Sequence, residues 1–187
     1  MFSKEEFIED CKSAIKDGQR AIREVVTRAV SNPAAVLREL GESGDAGITP
    51  LYRSNDLTIM NFIWAPHMSL VPHNHNMYSI VGLYSGREDN AFWRRIDGSI
   101  EVAGGQSLGS GDVATLGHDI IHSVLNPIAK KTAAFHVYAG DFLAPDDDRS
   151  HWEHETLQER PWDLEAVKGR FREFDNRYDV WFNNKSA

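Results

Sequence analysis

The first forty or so residues carry apolar side chains at helical spacing. Phe7, Ile8, Cys11, Ala14 and Ile15 recur three and four apart, which predicts an amphipathic helix, and Ile22, Val25, Val26 and Ala29 continue the stripe beyond a break at Gly18. Asn32-Pro33 reads as an N-cap followed by a first-turn proline, predicting a third short helix through Leu40 that Gly41 ends. From about residue 48 the period shortens to that of strands. The pattern predicts strands at 49–52, 57–64, 78–84, 90–96, 100–102, 112–115, 123–126 and 133–138. Turn signals separate them: Pro66, Ser85-Gly86, Asp97-Gly98, Gly104-Gly105, Gly109 to Gly111 and Asn126-Pro127. Short strands joined by such turns predict a mainly β sandwich or barrel. A loop at 141–150, DFLAPDDDRS, leaves it, and a last helical pattern covers 164–174. The whole chain, 1–187, reads as one domain: a helical segment at 1–45, a barrel at 48–142 and a helical, aromatic tail at 146–187.

Composition narrows the function classes. A chain of 187 residues can bury a sizeable core by itself. A net charge of −8 argues against a nucleic-acid partner. No apolar run is long enough to cross a bilayer, and the acidic start, MFSKEEFIEDCKSAIKD, lacks the apolar core of a signal peptide. The single cysteine, Cys11, excludes an internal disulfide framework and a cysteine-based zinc site. A cytoplasmic protein without membrane contact is therefore expected.

The candidate chemistry lies in VPHNHNMYSI, residues 71–80. On a strand, side chains two apart share a face, so His73 and His75 aim into one space and Asn74 faces away. Neutral imidazole is a good ligand for divalent transition metals, and two of them on one face supply two-thirds of a site. The alternative is a pair of hydrogen-bonded or surface histidines. A third ligand must come from elsewhere, and His122 in GHDIIHSVLN is the best candidate. His118, four residues earlier, would share a helix face with it. The β-branched residues around it favour a strand, which leaves His118 at the rim. His67 reads as structural.

Taken together these residues resemble the cupin superfamily, and within it the thiol dioxygenases of the cysteine dioxygenase type. The resemblance runs from about residue 51 to 142. It is carried by NFIWAPHMSLVPHNHNMY, by Gly82, Gly86 and Glu88 in a G-x-x-x-G-x-E element, by His122, Val124 and Asn126 in H-x-V-x-N, and by His136 and Tyr138 in FHVYAG. It implies a double-stranded β-helix flanked by the N-terminal helices and the tail. It also implies Fe(II) held by His73, His75 and His122, though nickel, zinc or manganese would suit the same ligands. Many metal-binding cupins carry a glutamate three or four residues past HxH. Ser79 and Ile80 stand there, which fits the three-histidine site. By the same resemblance Tyr138 donates a proton near the iron, His136 orients it, and Arg53 holds the carboxylate of a small thiol acid that reacts with O2. The family's serine–histidine–tyrosine relay reads here as Ala134, His136 and Tyr138, with its first member missing. No cysteine follows HxH to crosslink Tyr138.

Rivals remain at this stage. One is a three-histidine Fe(II) cupin that cleaves a C–C bond of a diketone or hydroxyketone. Another is a metal- or small-molecule-binding cupin without catalysis. Glu88 reads either as a partner of a ligand histidine or as a solvated strand-end carboxylate. GGQSLGSGD reads as barrel turns, and SHWEHE as an exposed segment. The tail aromatics Trp152, Trp162, Phe171, Phe174, Tyr178, Trp181 and Phe182 need cover from the barrel or from a second subunit, which makes a homodimer a candidate.

Overall fold

A computed structural model describes residues 1–41, 44–144 and 148–183, with side chains described up to Asn176. The N-terminal pattern yields α1 (Lys4–Ala14), a 3-10 turn (Ile15–Asp17), α2 (Gln19–Val30) and α3 (Pro33–Leu40). Their ends follow from the local chemistry. The Ser3 hydroxyl accepts the Glu6 N–H at 3.3 Å, and the Asn32 side chain accepts the Ala35 N–H at 3.2 Å with Pro33 in the first turn. Eleven strands follow: β1 (Gly47–Arg53), β2 (Thr58–Trp64), β3 (Ser69–Asn74), β4 (Ser79–Ser85), β5 (Arg87–Ile96), β6 (Ser99–Gly109), β7 (Val113–Leu116), β8 (Ile121–Leu125), β9 (Thr132–Tyr138), β10 (Ser150–Trp152) and β11 (Glu159–Pro161). Helix α4 (Leu164–Asn183) closes the described chain.

The strands form two antiparallel sheets in the orders β1-β2-β9-β4-β7 and β11-β10-β3-β8-β5-β6. Strands β2 to β9 pair as one long ribbon folded in half: β5 with β6, β4 with β7, β3 with β8 and β2 with β9. The tip is a two-residue hairpin turn at Asp97-Gly98, where both residues have positive φ (40° and 80°). Rolling the ribbon adds the pairs β4·β9 and β5·β8. This is the eight-strand jelly roll, or double-stranded β-helix, with one extra strand on the first sheet and two on the second.

Helices α1 to α3 cover the outer face of the five-stranded sheet. Phe7, Cys11, Ile22, Val26, Val30 and Val36 pack on Ile59, Ile80, Phe135 and Val137. That sheet is therefore buried on both faces, which is why every residue of β9, TAAFHVY, is buried. Gly82 makes the fit: a Cβ there would overlap Val26 of α2. The inner faces of the two sheets enclose Met60, Phe62, Trp64, Met68, Leu70 and Val124, and this core continues into Val167 and Phe171 of α4.

Three sequence expectations change. Gly104-Gly105 is strand, not turn: β6 runs through it, and a Cβ on Gly105 would lie 2.9 Å from the Asn90 carbonyl, so glycine here marks a close strand approach. Residues 69–74, absent from the expected strands, form β3. SHWEHE is exposed only at its end: β10 pairs with β3 through His151 and His73 and buries Trp152, while His154 and Glu155 stay exposed. The tail packs on the barrel through Trp162, Val167, Phe171 and Phe174. The Asp175 carboxylate pins it by accepting the Ala46 N–H at 3.0 Å and pairing with Lys131 at 2.8 Å. The side chains of Tyr178, Trp181 and Phe182 lie outside the described residues.

Candidate metal centre

The barrel brings His73, His75 and His122 to one point. In the β3·β8 ladder His73 stands directly opposite His122, and His75 follows just past the end of β3. All three are buried, with at most 4% exposure. Among the described residues they form the one group of three or more His, Cys, Asp or Glu whose ligand atoms all lie within 4.8 Å of one another. Asn74 faces the other way, as the alternation requires, and its side-chain oxygen accepts the Ser150 N–H at 2.7 Å.

Each ring is held by its Nδ1. The Val71 carbonyl lies 3.0 Å from Nδ1 of His73 and can only accept, so that nitrogen carries the proton. Asn90 donates through its amide nitrogen to Glu88 Oε1 at 2.9 Å, which turns its oxygen to accept from His122 Nδ1 at 2.8 Å. The Ser79 hydroxyl lies 3.1 Å from Nδ1 of His75. The remaining nitrogens face one another: Nε2 of His75 is 3.3 Å from Nε2 of His73 and 3.1 Å from Nε2 of His122. Two ligand nitrogens ~2.1 Å from one ion and at right angles stand about 3.0 Å apart. The spacing of both pairs is therefore that of adjacent ligands on one cation, and the ligand nitrogens of His73 and His122 lie within 4.8 Å of each other.

Burial fixes their charge. It lowers the pKa of His73 to about 4 and holds those of His75 and His122 well below the usual histidine value, the neighbouring histidines adding to the effect. All three are neutral near pH 7, as metal ligands must be.

The residues expected beside the metal divide. Tyr138 is buried, with its ring edge-on to His75 at 5.1 Å and its hydroxyl 3.3 Å from Nδ1 of His136. Burial raises its pKa far above the ordinary tyrosine value, with Arg149 opposing the rise, so the phenol keeps its proton. His136 stacks on Phe62 at 4.0 Å, and burial lowers its pKa to about 3. Arg53 is not brought to the site. It makes a two-pronged pair with Asp141 at 2.8 and 2.9 Å and donates to the Leu143 carbonyl at 3.1 Å, with its side chain 47% exposed. His118 lies outside the cluster, exposed and 2.7 Å from Asp119.

Sequence reasoning missed Arg149. It is 3% exposed, with its guanidinium 4.5 Å over the Phe142 ring, which stacks on Tyr138 at 4.0 Å. Its charge reaches His73, His75 and Tyr138. It was missed because it stands in an acidic stretch of sequence, DDDRS, without periodicity. The cavity at the histidines is walled by apolar groups, among them Ile48, Leu70, Val124, Phe142 and Val167. Its volume of about 10 Å³ leaves room for roughly one water molecule. Trp162 closes it by stacking on His73 at 5.1 Å. On the far side of Trp162, Leu70 and Val167 an outer groove of about 420 Å³ begins, lined also by His151, His154 and Arg170.

No family model matches the chain, and no curated protein matches it in sequence. Solved structures resemble its barrel. An rmlc-like cupin family protein with a double-stranded beta-helix fold from Methanocaldococcus jannaschii is 12% identical, with TM-score 0.46, over 55% of this chain and 86% of its own. A protein from Bacillus halodurans is 14% identical, with TM-score 0.48, over 63% of this chain and 80% of its own. A cupin superfamily protein from Desulfitobacterium hafniense is 15% identical, with TM-score 0.43, over 55% and 85%. The likeness concerns the fold and assigns no chemistry.

Proposed function

We propose that this chain is a mononuclear non-heme iron(II) dioxygenase that oxidises a small thiol-bearing acid to its sulfinate. One observation carries the reading. Three Nε2 lone pairs, each directed by a partner on the opposite ring nitrogen, meet in a buried space without a carboxylate among them. Neutral ligands leave a divalent ion its full charge, which attracts an anionic thiolate; a carboxylate ligand would cancel part of that attraction. Bound there, iron would supply the electron exchange that joins O2 to sulfur; nickel, zinc or manganese would fit the same nitrogens. The reaction balances as R–S⁻ + O2 → R–SO2⁻. Sulfur gives up the four electrons that O2 takes, so no other reductant is needed.

The chain's own residues have separable tasks. Arg149 takes the part expected of Arg53: a buried guanidinium whose charge reaches His73, His75 and Tyr138 suits the carboxylate of the substrate. Tyr138 keeps its proton and presents the hydroxyl beside His75, with His136 fixing its direction. The apolar walls exclude water from the thiolate. Because the cavity holds about one water, Trp162 must swing aside to admit any substrate. Those same apolar walls favour the rival in which a diketone is cleaved at carbon.

Oxygen uptake by iron-loaded protein separates the readings. The proposal expects uptake with cysteine or 3-mercaptopropionate and sulfinate formed in equal amount. Uptake with a diketone alone moves the chemistry to carbon. No uptake from protein shown to hold iron, together with ligand binding that survives metal removal, overturns the enzyme reading in favour of a binding protein.

A further inference from the structure

Behind the histidines lies a second buried group that metal binding does not use. Glu88 on β5 is fully buried. Its Oε1 accepts from Asn90, while its Oε2 lies 3.9 Å from Nε2 of His136. The position two before His136 on β9 is Ala134, packed among apolar side chains, so the strand offers Tyr138 to Nδ1 and no polar neighbour to Nε2. Glu88 Oε2, His136 Nε2 and the indole Nε1 of Trp64 are all buried without a hydrogen bond, and the indole stands close enough to lower the Glu88 pKa. Buried polar atoms are rarely left so. The 3.9 Å gap is about 1 Å longer than a hydrogen bond, and catalytic hydrogen bonds are often this loose before substrate binds.

We infer that Glu88 is a positioning residue: through His136 it decides whether the Tyr138 hydroxyl offers its proton to the pocket or withholds it. The logic is that of a chain with two directions. A neutral Glu88 donates Oε2–H to Nε2 of His136. The imidazole then carries its proton on Nδ1 and donates to the Tyr138 oxygen, leaving the phenolic proton free to point at the pocket. An ionised Glu88 instead accepts from Nε2–H. Nδ1 becomes the acceptor, and Tyr138 turns its proton toward His136. The inference deepens the proposed function, because it rests on Tyr138 as the proton donor.

The groups facing Glu88 leave it as the one that titrates near neutrality. His136 and Tyr138 face it from β9, Asp89 adjoins it on β5, and His73 and His122 lie beyond His136 and Asn90. Burial keeps the three histidines neutral and Tyr138 protonated. Burial also pushes Glu88 up to about 7, Asn90 and Trp64 opposing it.

The test reads the His136 tautomer by NMR of the full chain labelled with 15N-histidine, metal-free and zinc-loaded. Wild-type protein should carry the proton on Nδ1 one pH unit below about 7 and on Nε2 one unit above. Glu88→Gln reproduces the neutral acid, accepting from Asn90 and donating to His136, and should hold Nδ1–H across the range. In the iron-loaded enzyme wild-type turnover should fall at least fivefold over the same interval, while Glu88→Gln stays flat. A wild-type tautomer that does not change, or one that changes equally in Glu88→Gln, overturns the inference, and the wild-type titration alone decides if the variant does not fold. A tautomer switch in protein that consumes no oxygen with any thiol supports the role of Glu88 and refutes the dioxygenase reading separately.

Discussion

Asn90 Oδ1 lies 2.8 Å from Nδ1 of His122, and the Asn90 amide nitrogen donates to Glu88. The asparagine is thus fixed at both ends and dictates which nitrogen of His122 faces the other two histidines. Asn90→Ala should weaken metal binding by roughly 10- to 100-fold, the range for lost partners of ligand histidines. Competitive chelator titration measures it; an unchanged affinity would mean that His122 orients without Asn90.

His122 and His118 are four residues apart, and the barrel separates them. His122→Ala should reduce bound iron to near zero. His118→Ala should leave most of it, since His118 sits at the surface beside Asp119. Metal analysis after reconstitution decides, and the reverse pattern would reassign the third ligand.

Acid should destabilise the metal-free protein. Burial lowers His73 to about 4 and His136 to about 3, against about 6.5 unfolded. The unfolded chain then binds protons that the folded chain refuses, so stability falls as pH drops from about 6.5 through these values, by roughly 3 kcal/mol for His73 alone. Glu88, raised to about 7, acts in the opposite sense: its contribution is full below about 4.5 and is lost as pH rises toward 7. The histidines outnumber it. Urea unfolding across this range should show a net loss on the acid side, and a flat profile would contradict four neutral, buried imidazoles.

Arg149 and Arg53 make contrasting variants. Arg149→Ala should raise KM for a thiol carboxylate about tenfold or more and spare a thiol lacking the carboxylate, because a desolvated charge-assisted hydrogen bond is lost. Arg53→Ala removes a half-exposed ion pair and should change KM less than twofold. Equal effects on both substrates would deny Arg149 the role of carboxylate partner.

Trp162 covers His73, so Trp162→Ala should speed removal of bound metal by a chelator severalfold while the affinity changes little. Stopped-flow metal release tests this. An unchanged rate would place the route into the barrel elsewhere.

The three-histidine cluster was legible because side chains two apart on an extended chain share a face and His122 lies in a strand-like segment. The N-terminal helices were legible from apolar spacing and from the caps at Asn32 and Gly41. What could not be read depends on register and on distant contacts. Asn90 matters only because β5 pairs with β8, setting Asn90 opposite Val124 and within reach of His122. Glu88 reaches His136 only because β5 and β9 lie in different sheets whose side chains meet inside the barrel. Arg149 is buried against rings from elsewhere in the chain, Phe142 and Trp162. Gly105 looked like a turn, although its missing Cβ serves strand contact with Asn90. Arg53 followed the resemblance, but Asp141 claims it.

The cover over the histidines comes from the part of the chain made after them. All three ligands and Asn90 precede residue 123, whereas Trp162, Val167 and Phe171 follow β9. A local opening confined to the tail would therefore expose the ion to exchange with the surrounding solution while the strands that hold its ligands stay paired.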